Sequence, residues 1–416
     1  MKEEINISKL ILFFVSIVMC ATVAGQQNYD VILEAKALTA NDSYSKALAL
    51  LSDAIKLKPE SRLYVERAEI NLKIKNYDAS LQDFNDANMF EERSGDYGLA
   101  KVYAMKGDAT NSMKRLAMSM ESAYKRSEKE IMLDPAFTMI ENKPEWRQFW
   151  QKSWYSYRET GVSEIEYLIS TNKLSEARNA LSELKAVYQG SEEALYAEVL
   201  VNIASEQFND AVKYALTLTE TGKEKEKYHR VLAKAQLGLS NFAGASSTYT
   251  KLIEMGVTDA QLFMERAECL RKNGERSKAL KDVERFIMLY PENKEAIRLA
   301  GKLEVESGDN IKALEYFSKN VELNPNDAEC YVDRANSYFS SKSWQWAIND
   351  YSMSLDFNPV NSDVWLNKGI ALLSSGNISD ACYDFKRAYL LGNQKATPYI
   401  NKNCLNQQTT ETVPLL

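Results

Sequence analysis

Seven alanines, Ala177, Ala211, Ala245, Ala279, Ala313, Ala347 and Ala381, stand 34 residues apart, with no residue gained or lost between the first and the last. A period of that length marks stacked supersecondary units, because each unit must meet its neighbours at the same geometry. A single compact core places no such demand on spacing. The chain has 416 residues, long for one core, and only eight prolines, which suits a mostly helical solenoid.

The alanines belong to a wider ladder. Counted in 34-residue units from Arg158, position 8 holds Ala233, Ala267, Gly301, Ala335 and Gly369 in the last five units. Position 24 holds Tyr249, Val283, Phe317, Tyr351 and Phe385, and position 32 holds Pro291, Pro325 and Pro359. Small residues at 8 and 20 mark where two helices cross closely. The bulky residue at 24 fills the space beside the crossing, and the proline ends the second helix. Gly274, Gly308 and Gly376 mark the turn between the two helices. The two units from Arg158 and Glu192 are divergent, with Ile165 and Val199 at position 8. An earlier, looser block repeats the ladder as Tyr64, Ala68, Ser80, Phe84 and Ala87, and more weakly from Asp96 through Tyr103, Gly107, Ser112 and Leu116.

These residues resemble the tetratricopeptide repeat family over most of residues 29–395. The resemblance implies an all-α, right-handed superhelical solenoid of antiparallel helix pairs, in two arrays joined by a short-helix aromatic segment. Expected boundaries are a signal peptide at 1–25, a first array of about three repeats at 26–121 and a junction at 122–157. A second array of seven repeats follows at 158–395, then a capping helix at 396–405 and a disordered tail at 406–416.

The leader is read from Lys2 and Lys9 ahead of the apolar run Leu10 to Ala24. Fifteen residues span about 22 Å as a helix, short of the roughly 30 Å hydrocarbon core, so a cleaved secretory signal is expected rather than an anchor. A lipoprotein acylated at Cys20 is the alternative, although Met19 is bulkier than the residue such sites carry. The expected location is exported, periplasmic or envelope-associated in a bacterium.

Chemistry is sparsely supplied. There is one histidine, His229, at position 4, where its counterparts are Phe263, Ile297, Tyr331 and Trp365, so packing is its expected role. No metal, phosphate-loop or nucleophile motif is present, so no catalytic residue, metal or cofactor is expected. The formal net charge of −7 argues against nucleic acid as a partner. Cys382 falls on the last helix of the array and Cys404 on the helix behind it. Two free thiols are expected there, with a disulfide as the alternative that an oxidising compartment favours.

The family resemblance places positions 2, 5, 9, 12 and 13 of each first helix on the concave face. In the central units these hold Lys227, Arg230, Lys234, Arg271, Lys272, Arg298 and Lys302, diluted by Glu268, Glu295 and Glu306. The expected function is a non-enzymatic scaffold that holds a protein or peptide, acidic in the sharper reading, in that groove. The lysine–asparagine clamp that family members use for chaperone tails is absent: Asn336 stands at position 9 but Val332 at position 5. The alternative is an exported glycan-binding or enzyme-accessory protein that uses the aromatic residues at 137–154, among them Phe137, Trp146, Phe149, Trp150 and Trp154. The first expectation for those rings is instead that they cap the first array, since the end of a solenoid needs a cover.

Overall fold

Helix follows helix throughout the computed structural model, which describes residues 28–404 apart from Glu224. Among the described residues no strand occurs. The leader, Cys20 and the tail from 405 lie outside the described residues. No helix among the described residues is long and apolar enough to cross a membrane. The chain divides into two compact units, Met1–Ala260 and Gln261–Leu416.

In the first unit, α1 covers residues 28–40. The next five helices are α2 (Tyr44–Leu57), α3 (Ser61–Lys73), α4 (Tyr77–Phe90), α5 (Asp96–Met105) and α6 (Ala109–Met120). After α7 (Glu128–Leu133), a 3-10 turn (Pro135–Phe137) and α8 (Pro144–Phe149), helix pairing resumes. The remaining pairs are α9 (Tyr157–Ser170) with α10 (Leu174–Tyr188), α11 (Glu192–Ala204) with α12 (Phe208–Thr221), and α13 (Lys225–Gly238) with α14 (Phe242–Glu254).

The second unit holds four pairs. They are α15 (Gln261–Lys272) with α16 (Arg276–Leu289), α17 (Lys294–Ser307) with α18 (Asn310–Leu323), α19 (Ala328–Ser340) with α20 (Trp344–Phe357), and α21 (Ser362–Ser374) with α22 (Ile378–Leu390). A 3-10 turn (Gln394–Ala396) and α23 (Thr397–Asn403) follow.

The repeat ladder is the core. All seven alanines of the 34-residue period are fully buried. Position 8 meets position 24 as the crossing argument requires: a Cβ on Gly301 would sit 2.5 Å from the Phe317 ring, and one on Gly369 2.7 Å from Phe385. The divergent repeat α11–α12 keeps the volume by exchanging the two sizes, with Val199 at position 8 and Ala215 at position 24, both fully buried. In the looser block, serine replaces alanine at the crossing. Ser80 donates to the Ala68 carbonyl at 2.9 Å and Ser112 to the Ala100 carbonyl at 2.8 Å, so each buried hydroxyl has a partner.

The turn inside each 34-residue unit puts one residue, position 15, in the left-handed region. Gly274, Gly308 and Gly376 fill it at φ of 84°, 88° and 90°, but Asn172, Glu206, Ser240 and Lys342 also adopt it, at 55° to 59°. Glycine is therefore a sufficient signal for this turn and not a necessary one.

One expectation is corrected. Cys382 and Cys404 form a disulfide, not two free thiols. The turn Gln394–Ala396 lays α23 against α22, with Tyr399 stacked on Phe385 at 4.9 Å, and brings the two Cα atoms to 5.6 Å. That separation lies within the ordinary range for a bridge.

Candidate functional site

The first helix of each pair carries an accessible strip beside its buried position 8. In α13 the strip is half-buried Arg230 with exposed Lys234 and Leu237; in α15 it is half-buried Glu268 and Arg271 with exposed Lys272; in α17 it is half-buried Arg298 and Lys302 with exposed Val305 and Glu306. The two units are described separately.

In the first unit, Lys227 places its Nζ 4.0 Å from the centre of the Tyr196 ring on α11. Arg230 donates from Nε to Glu226 at 3.0 Å and from Nη2 to Asp259 at 3.1 Å. Lys234, one turn further on, is exposed to solvent. The surrounding strip mixes acid with aromatic: Tyr196 Oη donates to Glu166 at 3.3 Å and Tyr228 Oη to Glu192 at 3.1 Å.

In the second unit the arginines sit among carboxylates. Arg271 donates to Glu268 at 3.0 Å and to Glu306 at 2.8 Å. Arg298 meets both Glu329 and Asp333 at 2.5 Å, and Lys302 stands 4.0 Å from the same Asp333. Glu306, Glu329 and Asp333 all lie on the first helix of the following repeat, 31 to 35 residues on. Stacked first helices thus neutralise one another along the strip. Reading by repeat position named the cations and Glu306, but not Glu329 and Asp333, which hold Arg298 from one period downstream.

His229 points Nδ1 at the Lys225 carbonyl at 2.7 Å; a carbonyl only accepts, so the ring donates from Nδ1. The free thiols of Cys269 and Cys330 are buried, and burial pushes both up to about 11, away from the thiolate form. Among the described residues no group of three or more His, Cys, Asp or Glu is arranged to hold a metal ion.

The aromatic segment is a core of its own. Pro135 and Pro144 open its two short helical turns, and the Asp134 carboxylate accepts from Ala136 N–H at the first. Phe137, Trp146 and Phe149 are buried against Ala104, Met113, Leu116 and Met120 of α5 and α6. Phe137 and Trp146 lie 5.4 Å apart, Phe149 stacks on Trp154 at 4.6 Å, and Trp154 Nε1 donates to the Phe149 carbonyl. These rings spend their faces on one another and on α5 and α6.

Sequence pairs missed by motif reading are structural. Arg67–Asp83, Arg266–Asp282 and Arg334–Asp350 each form a two-pronged ion pair across one helix pair, always 16 residues apart. Lys368 and Asp384 occupy the same two positions with a single contact at 3.4 Å. The signal was the spacing itself, position 7 to position 23.

A family profile described as tetratricopeptide repeat matches residues 32–97. Among curated proteins, DnaJ homolog subfamily C member 3 of Bos taurus is 33% identical over 93 residues, which cover 22% of this chain and 18% of that protein. Protein CTR9 homolog of Arabidopsis thaliana is 28% identical over 131 residues, 30% of this chain and 12% of that protein. The chain therefore spans less than a fifth of the length of either relative. Among solved structures, the C-terminal part of a TPR repeat-containing protein from Cytophaga hutchinsonii aligns with a TM-score of 0.49 and 16% identity, covering 57% of this chain and 98% of that one.

Proposed function

We propose that this chain, whose residues 32–97 match the tetratricopeptide repeat model and whose helices continue in pairs beyond them, works as a non-enzymatic scaffold that holds a protein or peptide partner along its first-helix strips. The observation that carries this reading is the division of labour on those helices. Position 8 is buried in the crossing, while positions 5, 9, 12 and 13 of α13, α15 and α17 remain at least partly accessible. Within either unit, an extended partner laid across successive first helices meets one such strip per repeat.

The sharper form of the proposal is an acidic segment, with Lys227 and Lys234 as its main contacts in the first unit. Lys234 is exposed to solvent. The cations Arg271, Arg298 and Lys302 of the second unit face carboxylates already. They favour a partner of mixed charge that exchanges one pairing for another. The Cys382–Cys404 bridge supports an exported, oxidising setting.

The test is fluorescence anisotropy with labelled decapeptides sorted by charge. Saturable binding of acidic peptides that weakens as salt rises and falls in Lys234→Glu is expected. Equal binding of acidic and basic peptides, indifferent to Lys234→Glu, contradicts the sharper form.

A further inference from the structure

Two cations of the first helices in unit 1 reach to a loop near that unit's other end. Lys36 on α1 donates from Nζ to the carbonyl and the hydroxyl of Thr258, each at 3.0 Å, and lies 3.8 Å from Glu66 on α3. Arg62, in the first turn of α3, donates from Nη2 to the Gly256 carbonyl at 2.6 Å. The sequence separations are 222 and 194 residues, so these contacts join helices that no repeat-to-repeat stacking brings together.

The receiving loop lacks the proline of three later repeats, as do the loops at Gln189, Lys223 and Asn393. Three later repeats place Pro291, Pro325 and Pro359 after their second helix, and this one places Val257. Gly256 takes a φ of +76°, and a Cβ on it would come within 3.3 Å of Arg62 Nη1, so the guanidinium lies directly over the glycine. From the near side Arg230 on α13 holds Asp259. One strip residue therefore anchors the same loop that Lys36 and Arg62 grip from afar.

We propose that Lys36 and Arg62 on one side, and Gly256 to Asp259 on the other, form a reversible clasp that closes unit 1 end to end. Its bonds are ammonium and guanidinium donors on backbone carbonyls and one hydroxyl, and the Lys36 side chain is 40% exposed. Water takes over each of these bonds when the contact parts, so opening leaves no group unpaired. Parting moves α1 and α3 away from the loop beside Arg230 and widens access to the α13 strip. That last consequence rests on the reading of the strip as a partner surface; the clasp itself does not.

Spin labels on Glu34→Cys in α1 and Lys251→Cys in α14, both exposed positions, report the closure by pulsed electron–electron double resonance. The otherwise unaltered chain is expected to show a dominant short distance. Adding Lys36→Ala and Arg62→Ala shifts population to a longer one, with the helical circular dichroism signal retained. An unchanged distance distribution overturns the clasp. Should the alanine pair fail to fold, Lys36→Met with Arg62→Met keeps the aliphatic stems and carries the same test. A longer distance with unchanged affinity for acidic peptides leaves the clasp standing and counts against the strip reading alone, since a gate on a real site must change apparent affinity when opened.

Discussion

Arg334 and Asp350 face each other across one repeat, with Nε 2.7 Å from Oδ2 and Nη2 2.8 Å from Oδ1. The pair ties the first helix of its repeat to the second beside the Ala335–Ala347 crossing. Asp350 is buried and Arg334 about a fifth exposed, so removing one partner strands a charge at the edge of the core. Asp350→Ala is expected to cost about 3 kcal/mol. Replacing both with leucine is expected to cost less than either single change, because no charge is left unpaired. Urea denaturation of the three variants checks the order; a double variant weaker than both singles contradicts it.

The left-handed turn at position 15 gives a prediction of opposite sign. Lys342 adopts a φ of 59° where three sister repeats use glycine. Lys342→Gly should relieve roughly 1 kcal/mol of local strain, less the entropy glycine loses on folding, and raise the melting temperature slightly. Gly308→Ala, at a φ of 88°, should lower it. Thermal melts followed by circular dichroism decide, and a fall with Lys342→Gly would contradict the strain argument.

Those two sites show what the sequence could reveal. The crossing at positions 8, 20 and 24 was readable because sterics there admit only a few residue types, as Gly301 against Phe317 shows. The turn was readable only where glycine marks it; Glu206 and Ser240 reach the same conformation at 59° and 55° without any such mark. The exchange of Val199 with Ala215 was invisible to a single-position rule, since volume is conserved by the pair and by neither residue alone. The strip cations were legible as positions, but Arg298 paired with Asp333 depends on how successive first helices lie side by side. The Cys382–Cys404 bridge likewise depended on where a three-residue turn sends α23.

Asp384 makes the last repeat pH-sensitive. Burial raises its carboxyl to about 6 from the ordinary 3.8, only partly opposed by Lys368. A carboxyl that binds its proton more tightly when folded favours the native state at low pH. That contribution is lost as pH climbs from about 4 to about 6, up to about 3 kcal/mol for roughly two units. The stability of the natural chain minus that of Asp384→Asn should therefore fall over that window. A difference that stays flat, or an Asp384 carboxyl carbon that titrates near 4 by NMR, contradicts this.

The bridge between Cys382 and Cys404 closes a 22-residue separation. Loop-closure entropy assigns such a bridge about 3 kcal/mol. The seven residues of α23 make a helix too short to persist without its tertiary contacts. Cys404→Ser is expected to let the α23 amides exchange with solvent at nearly unprotected rates while α17 and α18 stay protected, because coupling along a solenoid runs between neighbours. Full protection of α23 in the serine variant would show that packing of Tyr399 and Ile400 suffices.

The most direct measurement of the scaffold reading is photocrosslinking from a defined face. A photoreactive side chain introduced at Leu237, exposed on the first helix of its repeat, is compared with one at Thr217, exposed on the second helix of the preceding repeat. With a saturating acidic peptide, crosslinks from Leu237 and none from Thr217 are the result this account predicts. Crosslinks from Thr217 alone would contradict it and move the partner to the opposite face.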